Sequence, residues 1–133
     1  MRQSPLLVFK SSAFPASPGE DVRTNPGVFG SALAHWIAER LRVRGLAAGE
    51  VFAEDFGWCA PVVRDSYTVY VACAGNGDPD AEWRIFASVE PGLLTRLLGR
   101  DTSAEPLAEV FAALKDCLSE ADEIRELTQE DDI

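Results

Sequence analysis

The sequence predicts a single α+β domain, residues 1–133, with a mainly antiparallel sheet of about four to five strands and two main helices packed on one face. Three observations lead there. Two segments carry apolar residues at helical spacing, one near each end of the chain. Between them, short runs rich in β-branched and aromatic residues are separated by turn residues, the pattern of hairpin-linked strands. At 133 residues and 47% apolar composition, the chain has the material for one core and little room for two.

The elements follow in order. Leu6–Phe9 is an apolar run ending in Lys10-Ser11-Ser12 and reads as a strand. Pro15, Pro18, Gly19, Asn25 and Pro26 mark a loop. Asn25 then suits an N-cap and Pro26 a first helical position, opening a helix over 27–44. Phe29, Leu33, Trp36, Ile37 and Leu41 form its apolar face, and Gly45 stops it. Val51-Phe52, Trp58–Val63, Tyr67–Ala74 and Trp83–Val89 read as strands, with a tight turn at 64–66 and a Gly- and Asp-rich loop at 75–82. Pro91-Gly92 opens a short helix ending at Gly99. Thr102, with Glu105 three residues on, has the form of a capping box. Leu107, Val110, Phe111, Leu114 and Leu118 then trace one face of a helix over 104–119. Residues 120–133 are crowded with carboxylates and read as a partly disordered acidic tail.

Charge is unevenly placed. The net charge is −10, but residues 1–45 carry +3 and residues 46–133 carry −13. Such a field repels phosphate backbones and attracts basic surfaces, so the expected partner is a protein with a basic surface rather than nucleic acid. No run of about 18 apolar residues is present to span a membrane, and the run 6–9 is too short for a signal sequence. A cytoplasmic location follows as the expectation. Cys59, Cys73 and Cys117 are widely spaced, and His35 is the single histidine. The cysteines read as small buried hydrophobes, with no metal and no cofactor expected. His35 reads as a helix residue pairing with Glu39.

One constellation is dense: Glu54-Asp55-Phe56-Gly57-Trp58. Two roles fit it. As a recognition edge, Trp58 would be a flat anchor and Glu54 and Asp55 acceptors for Arg or Lys. As a turn or bulge, Trp58 would instead enter the core. Asp78 and Asp80 join Glu54, Asp55 and Trp58 as the candidate partner surface. Adjacent strand residues point to opposite faces, so Glu54 and Asp55 make a poor catalytic pair. Asp78-Pro79-Asp80 lacks the ligand order of a calcium loop.

Asn25-Pro26-Gly27-Val28-Phe29-Gly30, Leu33-Ala34-His35-Trp36-Ile37 and Glu54-Asp55-Phe56-Gly57-Trp58-Cys59 together resemble a family of small uncharacterised bacterial proteins. The likeness continues weakly through Tyr70, Cys73, Trp83 and the 107–118 helix, and departs at Phe56, where Trp is the commoner residue. The resemblance implies a coherent fold and a bacterial source, with no chemistry attached. By analogy of type, a small acidic chain of this kind suits an immunity or inhibitor protein masking a toxin. Two alternatives stand beside that non-catalytic binding module. One is a small enzyme or ligand-binding domain using His35, Glu54 and Asp55. The other is a structural or adaptor protein that self-associates through a sheet face.

Overall fold

The computed structural model describes residues 2–78, 80–90, 97, 99 and 101–131. Its elements run β1 (Arg2–Gln3), β2 (Leu6–Lys10), a 3-10 turn (Glu20–Val22), α1 (Ser31–Val43), β3 (Ala47–Ala48), β4 (Phe52–Glu54), β5 (Gly57–Arg64), β6 (Tyr67–Ala74), β7 (Glu82–Val89), α2 (Ala104–Glu120) and β8 (Arg125–Glu130). The α+β class and the antiparallel pairing are as expected. Among the described residues, however, the sheet has eight strands rather than four to five, in the order β3-β5-β6-β7-β2-β8, with β1 on β7 and β4 on β5. The additional strands include β1 and β3, two residues each, too short for an alternation of side chains to register in sequence.

The meander β5–β6–β7 is the centre of the sheet. β5 and β6 meet at Arg64↔Tyr67 through a two-residue turn in which Asp65 adopts φ 56°, a conformation short polar side chains tolerate. The 75–82 loop joins β6 to its antiparallel neighbour β7, as expected. β1 and β2 run along β7 as one interrupted strand. At the interruption Ser4 N–H donates to Ala87 C=O and Ala87 N–H donates to Ser4 Oγ, both at 2.8 Å.

Helices α1 and α2 lie on one face, α1 over β5 and β6, α2 over β6 and β7. Leu33, Ile37 and Leu41 of α1 and Leu107, Leu114 and Leu118 of α2 are buried against Leu7, Trp58, Val69, Val71, Trp83 and Ile85 of the sheet. Phe29 and Phe111, expected in the core, sit half-buried at its margin. Arg44, at the end of α1, pairs with Asp116 and Glu120 of α2, and Arg64 of β5 pairs with Glu109 of α2. The helices are therefore tied to each other and to the sheet by charge as well as packing.

Three expectations about helix ends and the C-terminal segment need correction. Helix α1 begins at Ser31, not 27, and Asn25 does not cap it: Asn25-Pro26-Gly27-Val28 is a turn closed by Val28 N–H to Asn25 C=O at 3.0 Å. The cap comes from ten residues upstream. Glu20 Oε2 accepts from Gly30 N–H at 3.1 Å and Ser31 N–H at 3.0 Å, placing a carboxylate on the positive end of the helix. A cap from a distant loop has no local spacing to betray it. Thr102 likewise does not cap α2; the N-cap position is Ser103, and Thr102 Oγ1 lies 3.0 Å from Tyr67 Oη. Residues 125–130 of the expected acidic tail form strand β8 along β2. Half-buried Leu127 packs on the core while Glu126 pairs with Lys10 at 3.5 Å, so an edge strand absorbs the charges on its solvent side. The short helix expected between Pro91 and Gly99 falls largely on residues outside those described.

Candidate functional site

The two sequence motifs meet in space. Asn25 N–H donates to Asp55 C=O at 2.7 Å, and Phe29 and Gly75 exchange backbone hydrogen bonds at 2.8 and 3.0 Å. Gly30 and Gly57 both press against the carbonyl of Cys73. A Cβ on Gly30 would lie 2.6 Å from that oxygen, and one on Gly57 only 2.4 Å. Both glycines are thus required by close backbone approach. Their shared work is to lock the 25–30 loop and the β4–β5 turn onto the end of β6.

The same junction settles the position of Trp58. Its side chain is 6% exposed, faces the helices and carries the Arg23 guanidinium 5.5 Å from its ring centroid. Among the described residues its indole Nε1 has no hydrogen-bond partner. Trp58 is a core residue and not a surface anchor, a correction to the candidate partner surface. The cause is the period of two along β5: Gly57 must sit flush on β6, and the next side chain turns inward.

Glu54 and Asp55 are exposed at the β4–β5 turn, and Asp78 and Asp80 are exposed in the β6–β7 loop. In that loop, Asp78 N–H donates to Asn76 Oδ1 at 2.9 Å and Asp80 N–H to Asp78 Oδ1 at 3.0 Å, an arrangement of local turns. His35 lies on the exposed side of α1, its Nδ1 2.8 Å from the Ser31 carbonyl oxygen. The expected partner Glu39 pairs instead with Arg42 at 3.2 Å. Helix α1 covers one face of the sheet and Glu54 lines a cavity on the other, so His35 and Glu54 are not brought together.

The sheet face expected in the self-association alternative is the one the helices leave open, and the aromatic residues on it are not among the candidates. Outward positions of β4, β5, β6 and β7 carry Phe52, Cys59, Tyr70, Ala72, Phe86 and Ser88, in cross-strand register Phe52↔Cys59↔Ala72↔Phe86 and Tyr70↔Ser88. Cys59 and Ala72 are buried as a floor, while Phe52, Tyr70 and Phe86 stand half-buried around them. Phe56, in the β4–β5 turn, is 50% exposed and lies 6.4 Å from Phe86, ring centroid to ring centroid. A signal was present: Tyr70 and Phe86 occupy the parity opposite to the buried Val69, Val71, Ile85 and Ala87, where an amphipathic strand would place polar residues.

Among the cavities that open on this face, two share Phe56. The larger, about 790 Å³, is bounded by Lys10, Gly27, Gly75, Asp80, Glu82, Arg84 and Glu126 among others. Its two cations are already engaged, Lys10 with Glu126 and Arg84 with Glu82 at 3.7 Å. The smaller, about 420 Å³, is lined by Phe52, Glu54, Phe56, Cys59, Tyr70, Ala72 and Ser88. Burial, followed by the charge of Glu54, pushes the Cys59 thiol up to about 11, and burial also raises Cys73 and Cys117. All three cysteines are free and buried, and each stays a neutral thiol near pH 7. Among the described residues, no three His, Cys, Asp or Glu side chains converge to hold a metal ion, and no helix is long and apolar enough to cross a membrane. No family model, curated protein or solved structure matches the chain.

Proposed function

We propose that the chain is a non-catalytic protein-binding module that masks a basic partner surface, in the manner of an immunity or inhibitor protein, through the open face of its sheet. The observation that carries this is the partly exposed set Phe52, Phe56, Tyr70 and Phe86, with Glu54 and Asp80 lining the cavities beside them and Asp55 and Asp78 exposed in the same two connecting segments. Aromatic side chains inside a charged rim are the usual make-up of a recognition surface. Phe56 takes the anchor role for which buried Trp58 is unsuited. The −13 balance of residues 46–133 steers a basic partner toward the chain. A bacterial setting, with a toxin as the partner, belongs to the same proposal and rests on the resemblance carried by residues 25–30 and 54–59.

The test is capture of the partner from the native cell by the immobilised chain, followed by binding kinetics on variants. Rim charges govern association, so Asp78→Asn or Asp80→Asn slows association mildly and flattens its salt dependence. Phe56→Ser speeds dissociation, with an expected loss of about 2 kcal/mol. A partner held equally by wild type and Phe56→Ser would remove the open face as the binding surface. A second reading, self-association through the same aromatics, is opposed by the net charge of −10 on each copy. Sedimentation over a range of concentrations and salt separates the two.

A further inference from the structure

We propose that the smaller cleft on the open face receives the alkylammonium head of a lysine side chain on the partner surface. The source of the lysine rests on the protein-binding reading above; the cation chemistry of the cleft is testable on this chain alone.

The cleft has the composition an organic cation requires. The Phe52 and Tyr70 rings both line the cleft and meet edge to face at 87°, with centroids 6.1 Å apart. Phe56 forms a further wall, braced by Phe86. Aromatic faces carry partial negative charge and attract a cation placed over them. Cys59 on the floor is small and neutral, which gives the cleft depth without adding charge. Among the described residues the single ionised group lining it is Glu54, two residues from Phe52 on the same strand and therefore on the same face. Among the described residues no basic side chain lines this cleft, and none offers an anion a partner there. A purely apolar guest would gain nothing from Glu54, whereas an ammonium group gains both the ring faces and the carboxylate. The acidic surroundings favour the same sign of charge.

The experiment follows backbone amide shifts of the isotope-labelled full chain during titration with three probes: Nα-acetyl-lysine amide, choline and 3,3-dimethylbutan-1-ol, the neutral counterpart of choline. Both cations are expected to shift the amides of Cys59, Ala72 and Ser88 at millimolar concentration, and the alcohol to do so far less. Phe52→Leu should weaken the cations about fivefold or more. Glu54→Gln, at an exposed position that leaves folding intact, should weaken them and reduce their salt dependence. An alcohol that binds as well as choline would overturn the proposal by making the cleft simply apolar. Cation shifts that survive both substitutions would overturn it too. Choline binding with no response to the lysine derivative would overturn the lysine assignment in favour of a free small cation. These outcomes leave the binding-module reading intact. That reading fails separately, if the partner ignores Phe56→Ser.

Discussion

The two faces of the sheet are built from the same strands and do opposite things. On the covered face, Leu7, Val69, Val71, Ile85 and Ala87 are fully buried under α1 and α2. On the open face, one residue along in each strand, Phe52, Tyr70 and Phe86 keep part of their rings in water. Apolar burial scales with area removed from water, so stability is concentrated on the first face. The second leaves part of its apolar area exposed to water. The difference teaches that, on the proposed function, one strand would serve fold and recognition at once, because alternation separates the two duties by a single residue.

The strongest attempt to break this comparison is Leu114→Ala on the covered side. Leu114 is fully buried, and its truncation is expected to cost about 2–5 kcal/mol through lost transfer energy plus a cavity. Urea denaturation measures it, and a loss below about 1 kcal/mol would mean that α2 is not the main cover of the sheet. Next is Gly57→Ala, at the junction where the faces meet. Its new Cβ would enter the Cys73 carbonyl at 2.4 Å, forcing a backbone shift expected to cost about 1–3 kcal/mol. A melting temperature equal to wild type would show that β5 and β6 are not held flush there. Glu20→Ala removes the remote cap on α1 and should cost about 1–2 kcal/mol, readable as a lower denaturation midpoint and faster amide exchange at Gly30 and Ser31. Equal exchange at those two amides would contradict the cap.

Substitution on the open face is expected to do less to the fold. Phe56→Ser should change stability by no more than about 0.5 kcal/mol while it weakens partner binding, and a larger drop in melting temperature would place Phe56 in the fold rather than in recognition. The smallest effect expected is acid-dependent. Hydrogen bonds from Ser103, side chain and backbone, then from Arg2, hold the Asp101 carboxyl down at about 2. A carboxyl depressed on folding contributes stability above its unfolded value, and that contribution is lost as pH falls toward the folded value. A slight fall in melting temperature between about pH 4 and pH 2 should therefore be reduced in Asp101→Asn. An identical acid profile in that variant would place the acid sensitivity elsewhere.

Local pattern determined the main elements. The apolar spacing of Leu33, Ile37 and Leu41, and of Leu107, Leu114 and Leu118, specifies both helices and the face each buries. The alternation through Tyr67–Cys73 and Trp83–Ala87 specifies two central strands and their inward residues, and Gly45 ends α1 with φ 88°. These signals are legible because each depends on neighbours within a few positions. The rest required the fold. The carboxylate of Glu20 reaches a helix end ten residues away, and the 25–30 and 54–58 motifs converge on one carbonyl of β6. Arg125–Glu130 becomes a strand only because β2 offers it an unpaired edge. Trp58 and Phe56 exchange the roles their types suggest, the larger ring buried and the smaller one exposed, because Gly57 between them must lie flat against β6. Contacts between residues far apart in sequence leave no period to read. Which aromatic is core and which is surface was therefore decided by the packing of the sheet.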